Sequence, residues 1–361
     1  MAKSVWGSLS SKKKVSREEY LKMVRRVRYF ITLGFGMSLA VFVAIALFGG
    51  IYRVFDVFIT SKLYIYAIAF AAVFAGYMVR FEKWNYLLKK LGIRIRLKEN
   101  LITYLSLYSM NITPGRIGRV ISAYTVSKIT GVKTSKIVPA VMMDIFTDFV
   151  GFAVFALIFG VLFHRFIVYI LTADIVLLLP FLFITHDWFY KRIKKFLKRF
   201  KKKGYFGLFS VYGDEYFSAQ SSLNTLRTYV VSLAITLPAD FLSACALFIT
   251  LYSLGVTAPF SGTMFVYASS YLFGMVSGLP GGIGVNDASL VAMVGGVFGL
   301  NSIVSSAATI MTRVATLWFG VAVGTVFLIY SMKYWEEKKI RKRGKKRFSS
   351  LRLRQNRLKA R

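Results

Sequence analysis

Leu279-Pro280-Gly281-Gly282-Ile283-Gly284-Val285-Asn286-Asp287 interrupts a chain that otherwise reads as apolar helix on both sides. Proline and glycine break helices and leave backbone amides without intrahelical partners. In hydrocarbon such a break is tolerated only where it is buried in protein or lines a wet cavity. A related stretch, Thr113-Pro114-Gly115-Arg116-Ile117-Gly118-Arg119, precedes it in the chain. Both contain P-G-x-I-G, and each is followed by a long hydrophobic run. The pattern predicts a duplicated membrane unit with one broken helix in each half.

Composition supports a membrane protein. The chain has 361 residues, 56% of them hydrophobic, and 49 Lys+Arg against 15 Asp+Glu, for a net charge of +34. Mean hydropathy is +0.57. A soluble nucleic-acid binder could carry this charge, but not together with repeated apolar runs of about 18 residues or more. No nucleic-acid partner is expected. The single cysteine, Cys245, allows no intrachain disulfide. Residues 29–48 follow a basic segment without a convincing cleavage site and are read as a retained first span.

Six spans are expected, at about 29–48, 63–80, 137–163, 166–185, 229–253 and 302–332. Between the fourth and fifth, Phe189, Ile193, Phe196, Leu197 and Phe200 recur at helical spacing among lysines and arginines. Residues 188–203 therefore read as an amphipathic basic helix on an anionic membrane face. The expected organisation is a basic N-terminal segment (1–28), a first membrane repeat (29–163), a second (166–332) and a basic tail (333–361).

Charge orients this arrangement. Placing both termini in the cytoplasm puts 45 of the 49 Lys/Arg in inner segments and three, Arg53, Lys62 and Arg165, outside. The run 99–113 then has basic segments on both sides and is expected to re-enter from the cytoplasmic face. The run 263–287 is expected to re-enter from the outer face. Three crossings per half make the halves point opposite ways. The predicted fold class is thus all-α integral membrane, with six spans and two re-entrant broken helices in an inverted-topology repeat.

Six ionisable residues fall within apolar runs: Asp144, Asp148, Asp174, Asp240, Asp287 and Arg313. Each ionised group near a helix centre costs about 2.5–3.5 kcal/mol on insertion scales. Asp144 and Asp148 share a helix face, where two close carboxylates should not both ionise readily. Asp148 and Arg313 stand at nearly equal distances beyond Gly118 and Gly284. They could form a structural ion pair. Alternatively, Arg313 meets an anionic head group while the Asp pair gates or protonates. Asp174 and Asp240 are candidates for coupling, and Asp287 for capping the helix after the break. The amides of Gly115, Arg116 and Gly118, and of Gly281, Gly282 and Gly284, could bind a phosphate. No metal-ligand cluster, nucleophile elbow, cofactor motif or nucleotide loop is legible.

Leu279 to Ala288 resembles the P-G-G-x-G-x-x-E-A signature of the transmembrane flippase domain of lysylphosphatidylglycerol synthases. Pro114 to Gly118, with Gly131-Val132 and Ser135-Lys136, is similar to that family's first repeat. The family's E-R-x-x-D falls on Asp144-Ile145-Phe146-Thr147-Asp148, and Arg313 matches an arginine of its last span. The likeness covers roughly 29–332. The sequence departs from it at Arg119, where the family usually has Glu, at Ile145, where it has Arg, and at Asp287, where it has Glu. Only 29 residues follow the sixth span, so the resemblance implies the domain without its soluble aminoacyl-transfer partner, and lipid translocation rather than synthesis. The expected activity is movement of an anionic phospholipid or a polyprenyl-phosphate-linked lipid between leaflets of a prokaryotic cytoplasmic membrane. A proton-coupled small-solute transporter and a membrane-embedded transferase on lipid-linked substrates are the alternatives.

Overall fold

The computed structural model describes residues 17–113, 119–163 and 214–331. Within them the chain forms helices α1 (Arg17–Gly49), α2 (Ile51–Thr60), α3 (Leu63–Lys90), α4 (Leu97–Ser106), α5 (Val120–Thr130) and α6 (Thr134–Phe163). After residues 164–213 follow α7 (Asp214–Leu223), α8 (Leu226–Ser253), α9 (Phe260–Val276), α10 (Val285–Phe298) and α11 (Ser302–Ser331). The protein is an all-α integral membrane protein.

Among the described residues, six stretches are long and apolar enough to cross a membrane. Five match expected spans: Thr32–Gly49, Leu63–Lys90, Thr134–Val161, Leu226–Ser253 and Ser302–Ser331. The other is Pro280–Phe298, which begins inside the second break. The expected span at 166–185, the amphipathic helix at 188–203 and both terminal basic segments lie wholly or largely outside the described residues.

The two breaks are built differently. At the first, α4 has ten residues, about 15 Å of helix and too short to cross a bilayer. It continues as a 3₁₀ turn, Leu107–Met110. Every residue from Ile102 to Met110 is buried, so this irregular backbone is covered by protein. Residues 114–118 of its P-G-R-I-G motif lie outside the described residues. At the second break, Pro280–Gly282 forms a short 3₁₀ turn between α9 and α10. Gly282 (φ +67°) and Gly284 (φ +90°) hold left-handed backbone that a side chain would strain. A Cβ on Gly282 would also lie 3.0–3.2 Å from the backbone of Gly274 on α9.

α11 carries the first break against its side. A Cβ on Gly324 would lie 2.0 Å from the Ser109 amide nitrogen, and one on Gly320 would lie 2.6 Å from the Tyr77 hydroxyl. The same helix contains a π turn, Val314–Trp318, directly after Arg313. Such insertions are frequent at functional sites. α1 runs along α11, with the Trp318 indole donating to Ser38 Oγ (3.0 Å).

Two large apolar clusters form most of the described core, beside a small one of Ile112, Ile283, Leu317 and Val321. Tyr77, Trp84, Leu105, Val141 and Ala315 belong to one. Phe149, Phe152, Leu247, Phe265 and Leu290 belong to the other. α3 packs on α8, while α6 packs on both α8 and α9. The buried polar groups described below lie where α3, α6 and α8 meet.

Outside the spans, α7 is tied to the start of α6. Glu215 accepts from Lys133 and from Ser135 Oγ (3.2 Å). The Lys133 hydrogen bond holds the Glu215 carboxyl below its usual range. This stabilisation is present above the ordinary carboxylate pKa and is lost as pH falls through the lowered value.

The glycine packing predicts opposite outcomes at two positions. Gly324→Ala forces the 3₁₀ turn away from α11 and should cost about 1–3 kcal/mol, as overpacking does. Gly296→Ala, whose Cβ meets nothing within 4 Å, should stabilise by about 0.5–1 kcal/mol through helix propensity. Thermal unfolding in detergent, followed by intrinsic fluorescence, reads both signs.

Candidate functional site

The face of α3 that packs inward runs through Tyr66, Ala69, Val73, Tyr77, Trp84 and Leu87 at helical spacing. Arg80 and Lys83 continue the same face, and the fold buries them with the apolar residues. Lys83 is 0% exposed. Its ammonium lies 2.6 Å from Asp148 Oδ1 and 3.0 Å from Asp144 Oδ1. It also donates to the Asp144 carbonyl (3.2 Å) and Thr147 Oγ1 (3.1 Å).

Two guanidinium groups complete the cluster. Arg119, just before α5, donates from Nη1 to Asp144 Oδ2 (3.0 Å) and Asp148 Oδ2 (3.3 Å). Its Nε donates to Asn111 Oδ1 (3.3 Å). Arg80 donates from Nη2 to Asp240 Oδ1 (2.5 Å) and from Nη1 to Ser243 Oγ (3.1 Å). Arg80 Nε lies 3.6 Å from Asp148 Oδ1 and makes no hydrogen bond. Gly151 on α6 makes room for this arrangement, because a Cβ there would lie 2.3 Å from Asp240 Oδ2. Three cations from two segments thus meet three carboxylates from two helices. The i, i+4 pairing of Asp144 and Asp148 is as the spacing requires.

A second ion pair lies at the second break. Arg313 Nε donates to Asp287 Oδ1 (2.6 Å), and Nη2 to the Gly281 carbonyl (2.9 Å). Asp287 Oδ2 accepts from the Gly284 amide (2.8 Å), so this carboxylate caps α10 as well as pairing with Arg313.

Between the cluster and the Arg313 pair lies a cavity of about 60 Å³. One water needs roughly 10–15 Å³ on this measure, so there is room for several waters or a small tetrahedral anion. Arg80, Arg119 and Asp148 line it together with Arg313, Gly281 and Thr316. Tyr77, Tyr108, Tyr267 and Tyr271 form much of the remaining wall. Tyr77 and Tyr108 pack with ring centroids 3.9 Å apart, and the Arg119 guanidinium sits 5.8 Å from the Tyr108 ring centroid. Each arginine reaches the cavity while a carboxylate holds it: Asp240 for Arg80, Asp144 and Asp148 for Arg119, Asp287 for Arg313.

Several expectations are corrected. An Asp148–Arg313 ion pair does not form, because Asp287 takes Arg313 while Lys83 and Arg119 take Asp148. The second break does not offer a row of open amides either. The amides of Gly282 and Ile283 close the turn on the carbonyls of Leu279 and Pro280, and that of Gly284 is held by Asp287. Gly281 presents its carbonyl, to Arg313. Asp240 joins the cluster. Asp174, Gly115, Arg116 and Gly118 lie outside the described residues.

Sequence reasoning missed Arg80, Lys83 and Arg119, which it had counted among cytoplasmic basic segments. The signal was present for two of them: the buried stripe of α3 continues through Arg80 and Lys83 without a change of period. Arg119 carried no local signal. Only the tertiary fold sets it against α6.

Breaking a buried ion pair from one side strands the other charge and typically costs about 3–5 kcal/mol. Lys83→Met should therefore lower the unfolding midpoint sharply. Adding Asp148→Asn should recover part of the loss, giving a coupling energy of about 0.5–3 kcal/mol in a double-mutant cycle. Thermal unfolding of the wild type, both single variants and the double variant measures it.

Comparison with known proteins agrees with this architecture. The family model described as "Lysylphosphatidylglycerol synthase TM region" matches residues 31–324. The chain is also similar to a protein named "UPF0104 membrane protein" from Methanothermobacter thermautotrophicus, with 22% identity over 309 residues that cover 81% of this chain and 91% of that protein. From the buried ionic core to the broken helix at 279–287, the chain belongs to the family of the lysylphosphatidylglycerol synthase transmembrane region.

Proposed function

We propose that this protein is a flippase-like transporter that moves an anionic lipid, a phospholipid or a polyprenyl-phosphate-linked lipid, between leaflets. The observation that carries this reading is the central cavity, where Arg80, Arg119 and Arg313 converge from three segments. Guanidinium groups suit phosphate oxygens because their donors form a planar fork. The carboxylates behind them keep the cations oriented without filling the cavity. A phosphate group fits the available volume, whereas acyl or polyprenyl chains do not. Only the head group would enter, and the chains would remain in the bilayer.

The proposed topology has both termini cytoplasmic, in a prokaryotic cytoplasmic membrane. Arg80, Lys83 and Arg119 leave the cytoplasmic charge count, yet the excess of Lys/Arg in the remaining inner segments still favours that orientation. The two broken segments, 99–113 and 263–287, would be equivalent re-entrant parts of an inverted repeat and approach each other at the cavity. Asp144, Asp148 and Asp240 would change partners as a phosphate engages Arg119 and Arg80, which links binding to movement of the helices.

The test is reconstitution into vesicles with fluorescent tail-labelled lipids, read by a reductant that quenches only the outer leaflet. Phosphatidylglycerol or a polyprenyl phosphate should cross faster than in empty vesicles. Arg313→Gln should lower the protein-dependent rate at least about tenfold, equivalent to about 1.4 kcal/mol of barrier. Transport of inorganic phosphate without lipid movement would favour the small-solute reading. No movement of either would overturn transport.

A further inference from the structure

The first two spans are joined by a helix. Gly50 (φ +83°) holds left-handed backbone that ends α1. α2 (Ile51–Thr60) follows as a separate helix of ten residues, about 15 Å long. Its residues divide by face. Arg53, Asp56 and Thr60 recur at i, i+3 and i+7, which makes one polar stripe. Ile51, Phe55, Phe58 and Ile59 recur at i, i+4, i+7 and i+8, which makes an apolar stripe on the opposite face. All seven side chains are exposed, and Val54 is the buried residue of the helix.

Four span ends gather around α2. Val54 lies between the end of α1 and the start of α11: a Cβ on Gly49 would be 2.7 Å from Val54 Cγ2 and 2.9 Å from Ser306 Oγ. Beyond α2, the Lys62 amide donates to the carbonyl of Ser253 (2.9 Å), the last residue of α8. The ends of spans Thr32–Gly49 and Leu226–Ser253 and the starts of Leu63–Lys90 and Ser302–Ser331 thus mark one face of the membrane. It is the outer face in the topology proposed above. Tyr52 and Tyr64 are exposed at the same level, where aromatic residues collect in membrane proteins.

Neither water nor hydrocarbon alone suits this helix. Arg53 and Asp56 are costly in hydrocarbon, and four large apolar side chains are a poor surface for water. The boundary between head groups and acyl chains satisfies both faces. We propose that α2 is an interfacial helix that docks on the lipid surface, with Ile51, Phe55, Phe58 and Ile59 turned into the leaflet and Arg53 and Asp56 left in water. The helix carries one cation and one anion, so apolar burial holds it and lipid of any head-group charge serves as partner. Through Val54 it ties the leaflet surface to the start of α11, the helix that carries Arg313. This inference rests on the spans and the faces of α2, not on the transport reading.

Spin labels measure the depth of each face. In the full chain carrying Cys245→Ser, the variants Phe55→Cys, Ile59→Cys, Asp56→Cys and Thr60→Cys are made singly and labelled with a nitroxide. Each is reconstituted into vesicles of phosphatidylcholine, alone or mixed with phosphatidylglycerol. Oxygen, which concentrates in lipid, and a water-soluble nickel chelate then compete to relax the label. Labels at 55 and 59 should sit about 5–10 Å into the boundary between head groups and acyl chains. Those at 56 and 60 should be open to the chelate, and the depths should be the same in both lipid mixtures. Four labels in water, or four in hydrocarbon, would overturn the proposal. Insertion that needs phosphatidylglycerol would overturn docking by the apolar stripe. Labels at 55 and 59 shielded from both reagents and broadened by one another would put a second copy of the chain on this face in place of lipid.

Discussion

The buried charge balance among Arg80, Lys83, Arg119, Asp144, Asp148 and Asp240 is the constraint on which the rest of the structure depends. Removing any of these ions from water costs several kcal/mol, and attraction offsets that only with close geometry and filled hydrogen-bonding positions. α3, α6, α8 and the segment before α5 must therefore sit in one mutual arrangement. Gly151 is the clearest consequence, since any side chain there would collide with Asp240. Gly76 plays the same part between α3 and α8, where a Cβ would lie 3.1 Å from the Ala239 carbonyl.

The Arg313–Asp287 pair is a separate unit with a different role. It ties α11 to the broken helix, because one carboxylate both caps α10 and holds the guanidinium. The guanidinium in turn takes the Gly281 carbonyl that the break leaves without a helical partner. The same few groups thus satisfy backbone that hydrocarbon would not tolerate and aim a cation at the cavity. The π turn after Arg313 changes the helical register at the point where Thr316 and Leu317 reach the cavity wall.

The five expected spans that fall within the described residues were legible from hydropathy, because a bilayer demands about 20 apolar residues whatever the neighbours are. The stretch 279–287 was legible as a break for the same reason. Asp144, Asp148, Asp240, Asp287 and Arg313 were legible as a set, since a charge in an apolar run needs a partner. Their pairing was not. Asp148 and Arg313 stand at matching distances after their glycine motifs, and that symmetry suggested a bond that the fold does not make. Arg80 and Lys83 were misjudged because a cation at the end of an apolar run looks like the membrane boundary. Here α3 extends ten residues beyond Arg80, to Lys90.

By itself the sequence determined that this is a helical membrane protein with a broken helix at 279–287 and ionisable groups that must be buried together. These follow from local rules: hydropathy, helix-breaking residues and the cost of an unpaired charge in hydrocarbon. The tertiary structure alone decided which charge meets which, that Arg119 belongs to the core, that the Gly282 and Gly284 amides of the second break are already bonded, and that three arginines share one cavity. Those outcomes depend on distances between segments far apart in the chain. Such distances arise only when whole helices pack, and no local pattern encodes them.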